Sequence, residues 1–456
     1  MIGVNWYLLG LDGSSCPTFL RALQTRSQSA ADEVADQAKD RAKSYKVSAK
    51  RSESGSGAAA TLKAFLPDYM RSHVIARTPP AQYRDLLNTS LTLLLDSVLT
   101  EEPYEFEPYH QAVRGPELDL YRWGNSFFRP MIKWRHAYVE GRDHLESIRQ
   151  TIAKGDNVVM FANHQTEADP QVLSLLLERE GCEEVAEKCI FVAGHKVTTD
   201  RLAIPFSKGR YLLSIYSKKY LDEGTEEERE AKAERNKKTV SEMQRLMKEG
   251  GHIFWVAPSG GRDRRRPETD RFGPAKFDQA SVGLFLLLAQ KAGRRGGPKT
   301  HFFPLAMWTH RLVPPPEDAK AGVGEARSAA RAPVGLAFGE AMDAEQLGGR
   351  KKFPPAVEKR VNELYVSETS ALTVRGGKWG KSRKRLYAET PHVRLNMAVI
   401  LERYRRGGNI DQLGALPATL KRPTLRKRAP SISQEETERR RDRNWRDVNI
   451  AKMEPR

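Results

Sequence analysis

An α/β fold, with a largely parallel central sheet flanked by helices and a small helical domain ahead of it, is what this sequence predicts. Beyond Gly155 the apolar runs Val158 to Ala162, Cys189 to Ala193, Tyr211 to Tyr216, Ile253 to Ala257 and His301 to Trp308 read as strands buried on both faces. Between them lie stretches of helical period at about 171–180, 226–249 and 279–291. Strands that alternate with helices build a parallel sheet, and ligands of such sheets bind beyond the carboxyl ends of the strands.

The chain is long enough, at 456 residues, to bury a substantial core. Its longest apolar run, Val282 to Ala289 interrupted by Gly283, is less than half of the roughly 18 residues that a membrane span needs. A soluble or at most peripheral protein is expected. Cys16, Cys182 and Cys189 form no Cys-x-x-Cys and have no His at zinc spacing, which argues for a reducing compartment and against a structural metal.

Residues 1–60 are rich in Ser and Ala with scattered Lys and Arg, the composition of a transit peptide, although Asp32, Glu33, Asp36 and Asp40 fit a disordered N-terminus as well. Over 61–115 a small helical domain is expected. Leu86, Leu87, Leu91, Leu94, Leu95 and Val98 fall at helical spacing, and Pro79-Pro80 break the chain before that helix. The segment R-G-P-E-L-D-L-Y-R-W-G-N-S-F-F-R-P-M-I then offers aromatics either to dock this region on the next part of the chain or for plain packing. The α/β domain is expected over 116–366. Its longest helix is charged outside, places Val240, Met243, Leu246 and Met247 on one face, and ends in Gly250-Gly251 at the expected cap.

Two kinds of strand end carry unusual chemistry. After the first strand comes N-H-Q-T-E-A-D-P, with Asp169 placed as an N-cap and Pro170 at the first helical position. His164 therefore sits on a strand-to-helix turn. On a continuous helix His164 and Asp169 would stand roughly 140° apart, so they meet only if the loop folds back before the helix begins. Two alternatives stay open on this pattern alone: a base with its orienting carboxylate, or a plain N-cap beside a surface histidine. The second kind is basic: Lys218 and Lys219 follow one strand, and Arg262, Arg264, Arg265 and Arg266 follow another after Gly260-Gly261. Such loops are either solvated faces or, because guanidinium forks match phosphate oxygens, an anion grip.

Taken together, N-H-Q-T-E-A-D-P, F-V-A-G-H-K-V, P-F-S-K-G-R, Y-S-K-K-Y and A-P-S-G-G-R-D-R resemble, in order and spacing, the blocks of the soluble plastidial glycerol-3-phosphate acyltransferases, over about Leu62 to Leu364. The resemblance implies His164 as general base and Asp169 as the residue that orients it. It also implies that Lys219, Tyr220, Arg262 and Arg264 hold the phosphate of glycerol 3-phosphate. Three departures stand out. Tyr220 occupies the place of a family His, G-H-K-V at His195 and Lys196 replaces G-D-R-V, and R-D-R-P is stretched to R-D-R-R-R-P, so that Arg265 or Arg266 is a candidate substitute for Arg264.

The implied reaction is direct acyl transfer to the sn-1 hydroxyl from acyl carrier protein or coenzyme A, in the plastid stroma, with a helix N-terminus or backbone N–H groups near the Asp169 turn steadying the oxyanion. Neither metal nor cofactor is called for. No Gly-x-Ser-x-Gly elbow occurs, in keeping with a reaction that forms no acyl-enzyme. A lysophosphatidate acyltransferase is the substrate variant.

Over 367–456 a basic, disordered tail is expected. From Arg375 to the end, 22 Lys/Arg stand against 9 Asp/Glu, so this stretch carries about +13 of the chain's +18. V-R-G-G-K-W-G-K-S is no P-loop, because Arg375 stands where the first Gly is required. The rival to an enzyme is a protein that binds membrane, nucleic acid or an acidic partner through this tail on an inactive body. Trp379 and Trp445 are too few for a nucleic-acid platform, so peripheral membrane contact is kept as an expectation and nucleic acid is not.

Overall fold

A computed structural model describes residues 104–266, 271–315 and 327–375, together with 75–100 and parts of 61–73. All of them belong to the first of the chain's two compact units, Met1–Arg385. The readings of residues 1–60 and of the chain beyond 375 lie outside the described residues.

The expected α/β architecture is present. Ten strands occur among the described residues: β1 (Tyr109–His110), β2 (Tyr138–Glu140), β3 (Asn157–Ala162), β4 (Cys189–Gly194), β5 (Tyr211–Ile215), β6 (Ile253–Val256), β7 (Arg265–Arg266), β8 (Arg271–Phe272), β9 (Thr300–Trp308) and β10 (Gly335–Phe338). Eight of them form one sheet in the order β1-β5-β4-β6-β3-β9-β10-β2, while β7 and β8 make a small hairpin. From β5 to β9 every neighbouring pair is parallel. Antiparallel pairing appears only toward the edges, between β1 and β5 and between β9 and β10.

The helices that bear on the site are α1 (Pro80–Leu99), α2 (Leu120–Phe128), α3 (Arg142–Ala153), α4 (Asp169–Arg179), α5 (Glu226–Glu249), α6 (Gln279–Ala292) and α7 (Gly349–Arg375). Helix α1 starts at the Pro79-Pro80 break, because proline tolerates the first turn and resists the interior. Helix α5 opens on a capping box between Thr225 and Glu228 and stops at Gly250, whose φ of 79° suits glycine.

The central strands alternate their side chains between two cores. Val158, Met160, Ile253, Trp255 and Phe191 face one side, against Val172, Leu173 and Leu176 of α4 and Leu145 and Ile148 of α3. Val159, Phe161, Phe254 and Val256 face the other, against Met243, Leu246 and Met247 of α5, Phe285 of α6 and Phe353 of α7. This double burial explains why the strands are apolar throughout rather than alternating with polar residues. The aromatic segment docks the helical region as expected: Trp123 of α2 donates its indole N–H to Ser90 of α1 at 3.1 Å and stacks on Phe206 at 4.5 Å.

The structure corrects one capping expectation. Ala168 is the N-cap of α4 and Asp169 is already helical, its carboxylate engaged with the His164 loop and with Thr309. Strands β1, β2 and β10 and helix α7 carried no sequence reading. The strands are short, and α7 contains Pro354 and Pro355, which read as helix breakers.

Candidate active site

Because β5, β4, β6 and β3 are parallel neighbours, the loops at their carboxyl ends share one edge of the sheet. His164 follows β3, Arg262 and Arg264 follow β6, His195 and Lys196 follow β4, and Lys219 and Tyr220 follow β5. At about 4.8 Å per strand, the last of these loops starts roughly 14 Å from the first.

The loop after β3 does fold back before α4. His164 Nδ1 lies 2.8 Å from Asp169 Oδ2. The Asp169 side chain is wholly buried, and each of its partners is a donor: the backbone N–H of Gln165 at 2.7 Å and of Thr166 at 3.3 Å reach Oδ2, and the Thr309 hydroxyl reaches Oδ1. A carboxylate so fixed makes Nδ1 the protonated nitrogen and leaves Nε2 with its lone pair. His164 keeps 25% of its side chain exposed, enough for a hydroxyl to approach, and its ring stands edge-on to Trp255 at 5.8 Å.

The amides near this turn are occupied internally. Gln165 and Thr166 N–H serve Asp169, Asp169 N–H bonds to the Thr166 carbonyl at 3.0 Å, and Ala168 N–H reaches the Thr166 hydroxyl at 3.4 Å. These four groups are therefore engaged within the loop itself.

The basic loop after β6 is clasped to the His164 loop through Asp263. Asp263 donates its backbone N–H to the His164 carbonyl at 2.6 Å. Its carboxylate accepts from Asn163 at 2.8 Å, from Gln165 at 3.3 Å and from the Ala275 backbone at 2.8 Å. Burial pushes this carboxyl up to about 6, against the pull of those hydrogen bonds and of His164. Gln165 continues the lattice: its amide donates to Tyr365 of α7 at 3.0 Å and accepts from the Thr309 backbone at 2.9 Å.

Of the residues expected to hold a phosphate, Arg262 lies beside the His164 loop, with Nη1 3.4 Å from Glu167 Oε1. Arg264 folds over its own loop, donating to the carbonyls of Arg262 and Asp263 at 3.0 and 3.2 Å. Tyr220 sits farther along the edge in the short helix Lys218–Leu221, against the ring of His195 at 4.5 Å and with the Lys196 ammonium 5.4 Å from its ring centroid. Lys219 shares that helix; its side chain lies outside the described set. The two candidate substitutes for Arg264 follow it directly in the chain. Arg265 lies over Phe272, and Arg266 turns to Pro274 and to Asn362 of α7.

The Acyltransferase family matches residues 137–308, which include this edge. The chloroplastic glycerol-3-phosphate acyltransferase ATS11 of Cucurbita moschata is 34% identical over 317 residues, 69% of this chain and 69% of its own. The chloroplastic glycerol-3-phosphate acyltransferase of Phaseolus vulgaris is 33% identical over 358 residues, 75% and 74% of the two chains. This chain belongs to the chloroplastic glycerol-3-phosphate acyltransferase family. ATS12 of Cucurbita moschata, at 35% identity, matches 68% of this chain and 66% of its own length.

Within this family member, Thr309, Gln165, Asp263 and Arg327 surround the candidate site without having been singled out in the sequence. Asp263 and Gln165 lie inside quoted motifs, where neighbours of more familiar chemistry drew the reading. Thr309 was signalled only by its place just beyond a strand end. Arg327 carries no local signal, since its partners Glu167 and Asp200 are 160 and 127 residues away.

Proposed function

We propose that this acyltransferase moves a fatty acyl group from acyl carrier protein or coenzyme A to the sn-1 hydroxyl of glycerol 3-phosphate, giving lysophosphatidate, and that it does so in the plastid stroma. The observation that carries this reading is the His164–Asp169 pair, with His164 partly open to solvent and its loop clasped through Asp263 to the loop of Arg262. His164 Nε2 takes the proton of the sn-1 hydroxyl as its oxygen attacks the thioester carbonyl. The new C–O bond forms, the C–S bond breaks, and the imidazolium returns its proton to the departing sulfur.

Arg262, Arg264, Lys219 and Tyr220 hold the phosphate and so reduce the entropy cost of a two-substrate reaction. The Lys196 ammonium beside Tyr220 supplies a positive charge near the position where the resemblance expects a histidine. Basic loops on the same edge also favour an acidic acyl carrier.

The test is acyl transfer from acyl carrier protein to glycerol 3-phosphate by wild type and His164→Ala. Removing the base is expected to lower the rate on the order of 10²–10⁴-fold. A variant as fast as wild type would sink the assignment of His164, and a wild type inactive toward this acceptor would sink the substrate.

A further inference from the structure

We propose that Arg327 is a positioning residue for the phosphate clamp: it grips Glu167 so that this carboxylate does not close on Arg262. The proposal rests on the proposed function, which places the substrate phosphate at Arg262.

Glu167 lies in the loop between His164 and Asp169 and faces two guanidinium groups. Arg327 takes it with a fork, Nε to Oε2 at 2.6 Å and Nη2 to Oε1 at 3.0 Å. Arg262 reaches the same carboxylate at 3.4 Å, too long for a strong charge-assisted bond. The carboxylate's best geometry is thus given to Arg327.

Arg327 is itself held in place. Its Nη2 also donates to Asp200 at 2.7 Å, and Asp200 accepts from the Leu202 backbone at 3.0 Å. Both side chains are at least nine-tenths buried, so the fork cannot swing away into water. Burial works against the Arg327 charge, and Glu167 and Asp200 more than offset it, so its pKa stands above the ordinary value.

The charge balance gives the arrangement its purpose. Within this set of four charges Arg262 and Arg327 balance Glu167 and Asp200, so the two carboxylates present no net negative charge to a phosphate dianion at Arg262. Without Arg327 the same cluster is an anion, and Glu167 is left to pair fully with Arg262, competing directly with the substrate.

Glycerol 3-phosphate binding is measured by titration calorimetry in the absence of acyl donor, beside kcat and both KM values, for wild type, Arg327→Ala, Arg327→Lys, Glu167→Gln and the double variant Arg327→Ala/Glu167→Gln. Arg327→Ala is expected to weaken glycerol 3-phosphate binding about 10-fold or more, with a matching rise in its KM and a smaller effect on kcat. Adding Glu167→Gln removes the competitor and is expected to restore most of the lost affinity, a coupling that a purely structural role does not produce. Arg327→Lys, which keeps the charge without the fork, is expected to fall between the two, and it serves as the reporting variant should Arg327→Ala not fold. An Arg327→Ala or Arg327→Lys protein that binds glycerol 3-phosphate as wild type does overturns the proposal alone, and so does a double variant as weak as Arg327→Ala. A wild type that binds no glycerol 3-phosphate overturns the proposed function and this inference together.

Discussion

Asp169 commits both carboxylate oxygens to the loop that carries His164 and to Thr309, and so it sets which imidazole nitrogen is free. Asp169→Asn offers His164 an N–H where it needs an acceptor, which favours the wrong tautomer. A rate loss of about 10²–10⁴-fold with the fold intact is expected, checked by steady-state kinetics beside circular dichroism; activity near wild type would mean that the carboxylate is only structural. Asp263 makes a different prediction. Its folded pKa, about 6, is above the ordinary 3.8, so the folded state holds the proton more tightly. The associated stability is present in full below about pH 4 and is lost as the pH rises through about 6. Two pKa units amount to roughly 3 kcal/mol. The stability difference between wild type and Asp263→Asn, measured by denaturant unfolding at pH 4 and pH 7, should therefore shift on that order; a difference independent of pH would refute it. At this scale the sequence revealed His164, Asp169 and the arginine loop, because their chemistry is packed into short motifs. It hid Thr309 and Arg327, whose roles arise from contacts across more than 100 residues of chain.

The five strands from β5 to β9 were legible because each is buried on both faces and therefore apolar throughout. Strands β1 and β2, with two and three residues, leave no period to detect, and their pairing is decided by neighbours rather than by themselves. The turn from β2 into α3 depends on Gly141, whose φ is 72° and where an added Cβ would fall 2.1 Å from the Phe338 carbonyl oxygen of β10. Gly141→Ala combines backbone strain with that clash and should cost about 2 kcal/mol or more, read from the denaturation midpoint. A midpoint at the wild-type value would show that β10 yields there. Helix α4 illustrates a subtler limit. Its start was read to within two residues, yet the structure moves Asp169 from the cap into the first turn, because four donors outcompete the capping role for the carboxylate.

Across the whole molecule, charge and catalytic geometry are separated along the chain. The candidate site is assembled within the first compact unit, whereas most of the net positive charge falls from Arg375 onward. Removing residues 386–456 is therefore expected to leave the rate of acyl transfer and the glycerol 3-phosphate KM unchanged in solution, and a fall in either would move part of the machinery into the tail. Deleting the tail also decides the rival reading, since a protein acting only through those residues would lose its binding and show no transfer.

Asp263 fastens the Arg262 loop onto the His164 carbonyl, and on the proposed function this sets the reach from proton acceptor to cation. On that proposal the site measures its alcohol as a gauge block measures a gap. An acceptor whose hydroxyl and anionic group are joined by too short or too long a carbon chain reaches one end of the gauge and misses the other.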